Sequence, residues 1–411
     1  MSLRRASARL AIVALVTSAA AGLVVQRGEA HKAITSKYTY NDDVFPIFRE
    51  RCSRCHISGG VAPMSLMTYD DAFPWAESIR AELVAAHMPP WNAEEGFGDL
   101  KPAHTLTPKE LDVVLTWATG GNPRGALDAK LPEVKLKNDW TGGAPDLALR
   151  LPADFTLAAD KMEDTQELTM PTGVAEARWV RAVDLLPGTP SIVRSATIVV
   201  KGAPAADASA PAPEQVLAHW LPGQDLEPID SGIAFRLPAG AQLGVRIHYK
   251  KTWQFEGKAL SDRSTVGVYF APAKDARELM MLPIDSPAGA GAQKQTTTFS
   301  RTLGEDVRAV ALSPDNVPPN ITLQVEAVRP DGSRTPMIRL NTRADWDRRY
   351  WFEKPLALAR GTKIEVTANF EDPDLLSAAF AAPGTAAAPQ RQGPMRLTLN
   401  VVAPNGKPTA P

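Results

Sequence analysis

Six consecutive residues, Arg51-Cys52-Ser53-Arg54-Cys55-His56, contain the only two cysteines of a 411-residue chain. Two thiols at this spacing can reach the two vinyl groups along one porphyrin edge. The imidazole that follows then lies beneath the iron, so one turn of chain fixes both the ring and its proximal ligand. A thioredoxin-type redox pair would need a strand–helix unit around it, and the flanks offer none. A zinc site would need two further ligands, and there is no second cysteine pair. The pattern predicts one covalent haem c, held by Cys52 and Cys55, with His56 as an iron ligand.

The distal ligand is sought among nearby sulfur and nitrogen donors. His87-Met88-Pro89-Pro90-Trp91 places a methionine before two prolines that restrict the loop, and Met88 is the expected sixth ligand; a thioether there would raise the reduction potential relative to a second imidazole. Met64 and His87 are weaker candidates. Met64, like its neighbour Met67, reads as a core filler, and His87 as an incidental neighbour of Met88. His104 sits in a polar loop and is expected to be exposed.

The elements that must hold these residues are helical. Asn41-Asp42-Asp43 can cap a helix running through Val44, Phe45, Ile47 and Phe48 into the cysteine turn, with Pro46 tolerated near its start. Asp70 to Ala86 reads as a second helix, with Trp75, Ile79 and Leu83 on one face. Thr107-Pro108-Lys109-Glu110 is a capping box. It opens a helix whose stripe is Leu111, Val114, Leu115 and Ala118, ending at Gly120-Gly121. Helix, cysteine turn, helix, methionine loop and closing helix is an order that resembles a small class I cytochrome c, over residues 31–125.

Before that unit, Arg4, Arg5 and Arg9 precede an apolar run from Leu10 to Val25 and small residues suited to cleavage. Residues 1–30 are therefore expected to be a Sec-type signal peptide, with an uncleaved anchor as the alternative, and the protein to be periplasmic or otherwise exported. Membrane contact is expected only if that segment is retained. Lys and Arg total 45 against 46 Asp and Glu, which gives no electrostatic case for nucleic acid. Cleavage after Ala30 would expose His31 as a terminal chelator, but no second histidine accompanies it and a solvated end is the plainer expectation. Gly-rich phosphate loops, G-x-S-x-G and H-E-x-x-H are absent, and no carboxylate pair stands out as acid and base.

After Gly125 the helical period ends. Residues 126–150 read as a linker, and alternation takes over at Trp179–Leu186, Ser191–Lys201, Ala241–Trp253, Ser264–Ala271, Ile321–Ala327, Ile364–Phe370 and Leu397–Val401. Short strands separated by Pro- and Gly-rich turns predict two antiparallel β-sandwiches, at 151–286 and 287–411, the second with a flexible C-terminal tail. Ala-rich stretches at 203–213 and 378–392 read as surface loops, and 287–292 as a junction. The expected fold class is thus multidomain: a small α-helical unit followed by all-β sandwiches.

Five short segments, Val61-Ala62-Pro63-Met64-Ser65-Leu66, Met88-Pro89-Pro90-Trp91, Leu237-Pro238-Ala239-Gly240, Ile247-His248-Tyr249 and Asp262-Arg263-Ser264, occur in an order that resembles a bacterial group. In that group a cytochrome c precedes two sandwiches similar to the copper type II, ascorbate-dependent monooxygenases, the family of peptidylglycine hydroxylating monooxygenase. The resemblance implies one copper on an adjacent His-His pair plus the histidine of a His-Tyr step, and a second on His-x-His plus a methionine. Here the first position reads Val193-Arg194-Ser195-Ala196 and the second Ser313-Pro314-Asp315-Asn316-Val317. His248 and Met395 are what remain, and beyond Gly125 the histidines are His219 and His248. One imidazole and one thioether in separate domains do not complete either copper site, and Arg194 places a fixed cation where a metal would sit. His219 and His248 are expected to be structural. The sequence therefore predicts haem c without copper and electron transfer with a redox protein or a small-molecule donor or acceptor, rather than catalysis. A haem-fed copper monooxygenase and a non-catalytic ligand- or partner-binding module are the alternatives.

Overall fold

Periodic apolar positions before residue 120 become helices, and alternating ones after residue 146 become strands, in the computed structural model of the chain. The structure describes residues 35–101, 105–201, 214–226, 232–272, 274, 276–287, 296–343, 346–370 and 394–404. Residues 1–30, expected to be a signal peptide, His31, His104 and the Ala-rich stretches at 203–213 and 378–392 lie outside these residues, as do 288–292 and the chain beyond 404. No helix among the described residues is long and apolar enough to cross a membrane.

Helix α1 is a continuous run of Tyr40–Val44, Phe45–Ile47 and Phe48–Cys52. Its N-cap is Thr39, not the Asn41-Asp42-Asp43 triplet: the Thr39 hydroxyl accepts from Asp42 N, and Asp43 Oδ2 accepts from Thr39 N at 2.8 Å. Wide turns, with Val44 N on Thr39 O and Ser53 N on Phe48 O, flank Pro46, which has no N–H to donate. Helix α2 comprises Tyr69–Ala72, a tighter turn at Phe73–Trp75 around Pro74, and Ala76–Val84. Helix α3, Pro108–Thr119, has the full reciprocal capping box of Thr107 and Glu110. Its buried stripe is Val113, Val114, Trp117 and Ala118, turned from the predicted one because Trp117 takes the centre; Leu111 and Leu115 are half-buried. The three helices share one core, in which Tyr40 and Trp117 are fully buried.

The β region begins inside the stretch read as linker. Strand β1, Leu147–Arg150, edges a sheet that continues with β10 (Thr265–Ala271), β4 (Arg178–Leu186), β7 (Ile233–Leu237) and β11 (Arg277–Glu278). Across one core it faces β3 (Glu163–Pro171), β8 (Gln242–Lys250), β5 (Val193–Lys201) and β6 (Gln215–Trp220). Strands β2 (Phe155–Leu157) and β9 (Leu260–Asp262) form a small pair at its end.

The second layered unit starts at β12 (Met280–Asp285), earlier than the expected boundary at 287, because β12 pairs with β19 (Arg396–Val402). Strands β14 (Val307–Asn316) and β17 (Tyr350–Leu358) complete that sheet, which faces β13 (Thr297–Thr302), β18 (Lys363–Asn369), β15 (Thr322–Val328) and β16 (Arg334–Asn341). Among the described residues all strand pairings are antiparallel except β7 with β11. The chain is thus mostly antiparallel sheet preceded by short helices.

Two of the segments quoted above meet here. Buried Asp262 accepts from Tyr249 Oη at 3.0 Å, Ser264 N at 3.0 Å and Ser264 Oγ at 2.8 Å, while Thr189 N donates to its other oxygen at 2.8 Å. One carboxylate thereby ties β8 to β9 and the turn before β5. Its removal leaves several buried donors without an acceptor, the costly direction. Asp262→Ala should lose on the order of 3 kcal/mol or more, against about 1 kcal/mol for Tyr249→Phe, read by urea unfolding.

Candidate functional site

Where α1 runs out, Cys55 N and His56 N both donate to Cys52 O, at 3.1 and 2.9 Å, closing the single turn that brings Cys52, Cys55 and His56 together. The two cysteines are free thiols. Burial pushes the Cys52 thiol up to about 12, with neighbouring Cys55 adding to the rise. Burial likewise lifts Cys55 to about 11, although the Arg194 and Arg54 cations oppose it. Both thiols are therefore protonated at neutral pH. A redox-active C-x-x-C pair needs the opposite, a depressed pKa and an exposed thiolate.

His56 donates from Nδ1 to Met64 O at 3.2 Å, and Leu66 N donates to His56 O at 3.1 Å. With Nδ1 committed to a backbone carbonyl, Nε2 is the nitrogen left for a metal, the usual arrangement of a ligating histidine. Burial lowers the His56 pKa, which keeps the ring neutral and its lone pair available. Met64, Leu83, Leu106, Leu131, Val134 and Leu136 pack on the helical core while remaining only half-buried. A free thiol pair beside an oriented imidazole is the donor set that a covalently held porphyrin would need.

The turn is docked on the first sandwich. Arg54 forms a two-pronged ion pair with Asp225 and donates to Gly223 O at 2.9 Å, and Cys55 Sγ lies 3.6 Å from Pro222 O. Gly223 has φ +73°, and a Cβ there would meet Arg54 Cβ at 2.7 Å, so the close approach requires glycine.

Met88 is half-buried past the end of α2, its N–H on Glu82 O at 3.3 Å. Met64 is joined to His56 through its carbonyl, while its side chain packs on the helical core. His87 Nδ1 meets Glu82 Oε2 at 3.0 Å. His248 Nε2 lies 3.8 Å from Glu163 on β3. Met395 is buried in the second core.

The positions that would hold copper in the resembling family are used otherwise. Arg194 lies close enough to bias Cys55. Asp315 accepts from Thr398 Oγ1 and stands 3.6 Å from Nε2 of His219, reaching across from β14 to β6. Among the described residues no group of three or more His, Cys, Asp or Glu is arranged to hold a metal. Beside His219 lies a cleft, partly open to solvent, with Asp184, Trp220, Gln224, Arg349 and Trp351 in its walls. The sequence offered no signal for this cleft, because its walls come from distant strands. Asp184 there accepts from Trp220 Nε1 at 3.1 Å and Thr141 Oγ1 at 3.2 Å, and burial raises its pKa.

No family model matches the chain, and no curated protein matches it. One solved structure, of Bacillus subtilis oxalate decarboxylase with its Mn(II) centers, is 8% identical over 70% of this chain and 87% of its own, with a TM-score of 0.12. A likeness that low carries no argument.

Two outcomes follow from the burial of these groups. In cofactor-free protein at about pH 8, iodoacetamide should alkylate the cysteines roughly a hundredfold more slowly when folded than in urea, because only the thiolate reacts; equal rates would contradict the burial. For Asp184 the folded pKa is raised, so its contribution to stability is full below the ordinary carboxylate range and is lost as pH rises through the raised value. Asp184→Asn should therefore flatten that part of the stability–pH curve, as measured by urea unfolding at a series of pH values.

Proposed function

We propose that the chain is an exported mono-haem c-type cytochrome acting in electron transfer. Its helical unit, residues 31–125, resembles a class I cytochrome c, and its sandwiches resemble a copper-monooxygenase pair that no longer carries copper. In this reading Cys52 and Cys55 hold the porphyrin by thioethers, His56 supplies Nε2 on one axial side and Met88 supplies its sulfur on the other. Bound there, the haem would supply one-electron exchange, and two occupied axial positions favour outer-sphere transfer over oxygen or peroxide chemistry. The leader at 1–30 supports a periplasmic or other exported location, where C-x-x-C-H proteins receive their haem.

The observation that carries the proposal is the orientation of His56 within the cysteine turn: the Met64 carbonyl takes Nδ1 and leaves Nε2. The raised thiol pKa values support it by arguing against a redox dithiol. The electron partner is a redox protein or a small molecule. The sandwiches serve as the body that places the haem before that partner. Copper chemistry is not proposed, since Arg194 and Asp315 stand where imidazoles would be needed.

The test is metal analysis with optical spectroscopy on mature protein purified after export. One covalently bound iron per chain, no copper and a methionine-to-iron charge-transfer band are expected, and Cys52→Ala or Cys55→Ala should impair covalent attachment. Stoichiometric copper would overturn the proposal, and an unchanged spectrum in Met88→Ala would remove Met88 from the iron.

A further inference from the structure

Between α2 and α3 the chain does not stay on the helical body. Residues 91–101 run out along the second sandwich and join it as an extra, irregular edge. Ala93 bridges Leu340 and Leu100 bridges Phe352, both antiparallel. Glu94 N donates to Arg339 O at 2.9 Å, Asn341 N to Asn92 O at 2.9 Å, Lys101 N to Trp351 O at 2.8 Å and Glu353 N to Asp99 O at 2.8 Å. Side chains reinforce the pairing. The Trp91 ring meets the Tyr350 ring edge-on at 5.2 Å and carries the Arg348 guanidinium 5.4 Å from its centre. Arg339 donates to Glu94 Oε1 at 2.7 Å and lies over Phe97 at 4.2 Å. Ala93 is buried in the second core. At Gly98 the chain passes so close to the Met337 carbonyl that a Cβ would collide with it.

From this strap we infer that the second sandwich positions Met88, with Trp91, Glu94 and Arg339 as positioning residues that act through it; the inference rests on Met88 being the iron ligand proposed above. Met88 is suspended between two anchors. Upstream, its own N–H and that of His87 both return to Glu82 O, at the end of α2. Downstream only Pro89 and Pro90 separate it from Trp91, and a proline fixes its own φ while restricting the residue before it. Little slack remains between the strap and the sulfur. Displacement of the strap from β16 and β17 is therefore passed to Met88, whereas His56 is held independently by the Met64 carbonyl and the first sandwich. Beyond the helical unit they share, Met88 is tied to the second sandwich and the His56 turn to the first.

The experiment uses the full haem-loaded chain and reads the ferric sulfur-to-iron charge-transfer absorption and the midpoint potential. Hydrogen exchange at the Glu94 and Asn341 amides reports whether the strap has opened. Trp91→Ala should lose most of that absorption and lower the potential toward the Met88→Ala value, because loss of a thioether ligand lowers it. Trp91→Phe should restore both. Glu94→Arg should weaken the absorption, and the exchanged pair Glu94→Arg with Arg339→Glu should recover it; these variants carry the test if Trp91→Ala does not fold. The inference is overturned if the strap amides exchange freely while absorption and potential stay at wild-type values. If Met88→Ala itself leaves the spectrum unchanged, the ligand assignment fails and the inference falls with it, a result distinguishable from failure of the strap alone.

Discussion

A unit of three short helices has too little interior to shield its own apolar surface, since the buried fraction falls as a domain shrinks. That shortage governs how the rest of the chain is arranged around it. Leu131, Val134 and Leu136, from the stretch that reads as a linker, are spent covering the helical core. The same connector then ties down on the first sandwich, where Asn138 donates to Pro187 O and Trp140 fills the space above Gly267. The Arg54–Asp225 pair fixes the cysteine turn to the loop after β6, and the strap at 91–101 fixes the far side of the helical unit to the second sandwich. What composition suggests is a free domain on a tether is held at three places.

The two sandwiches are braced against each other in turn. Val310, Ala311, Trp351 and Val402, from the second unit, belong to the core of the first. Arg349 spans the junction, donating to Val216 O at 2.8 Å and Leu217 O at 3.0 Å while its guanidinium lies near Phe235 and Trp351. His219 and Asp315 face each other across the same junction with most of their surface buried. Arg349 serves as a brace because hydrogen bonds to carbonyls are strengthened in a low-dielectric junction. Asp315 is also engaged by Thr398.

Local signals were legible in the sequence and long-range ones were not. The capping box at Thr107 and Glu110 appears as read, since both partners lie within one turn. The alternating runs become β4, β5, β8, β10, β15, β18 and β19, since a period of two is a property of the strand itself. Near misses have local causes: Thr39 caps α1 because its hydroxyl, one residue before the helix, reaches Asp42 N, and Trp117 pulls the stripe of α3 around. The strap is a different kind of miss. Residues 91–101 carry no alternation, and their partners Arg339, Leu340 and Phe352 lie far along the chain, so no window of sequence contains both sides of the pairing. The same holds for His219 with Asp315 and for Arg54 with Asp225. The motif residues of the candidate site were legible; what holds them in place was not.

That division bears on how the site would respond to change elsewhere. His56 is oriented by a carbonyl eight residues away, within the helical unit, and its turn rests on the first sandwich. Met88 is tethered through two prolines to the second. If both ligate one iron, the distance between them is set partly by the junction of the sandwiches, at Arg349 and at the His219–Asp315 pair. Coupling of this kind needs a continuous path of packed or hydrogen-bonded contacts. One is present, from the cysteine turn through Asp225 and the loop after β6 to the junction, then through Trp351 and Tyr350 to the strap and Trp91.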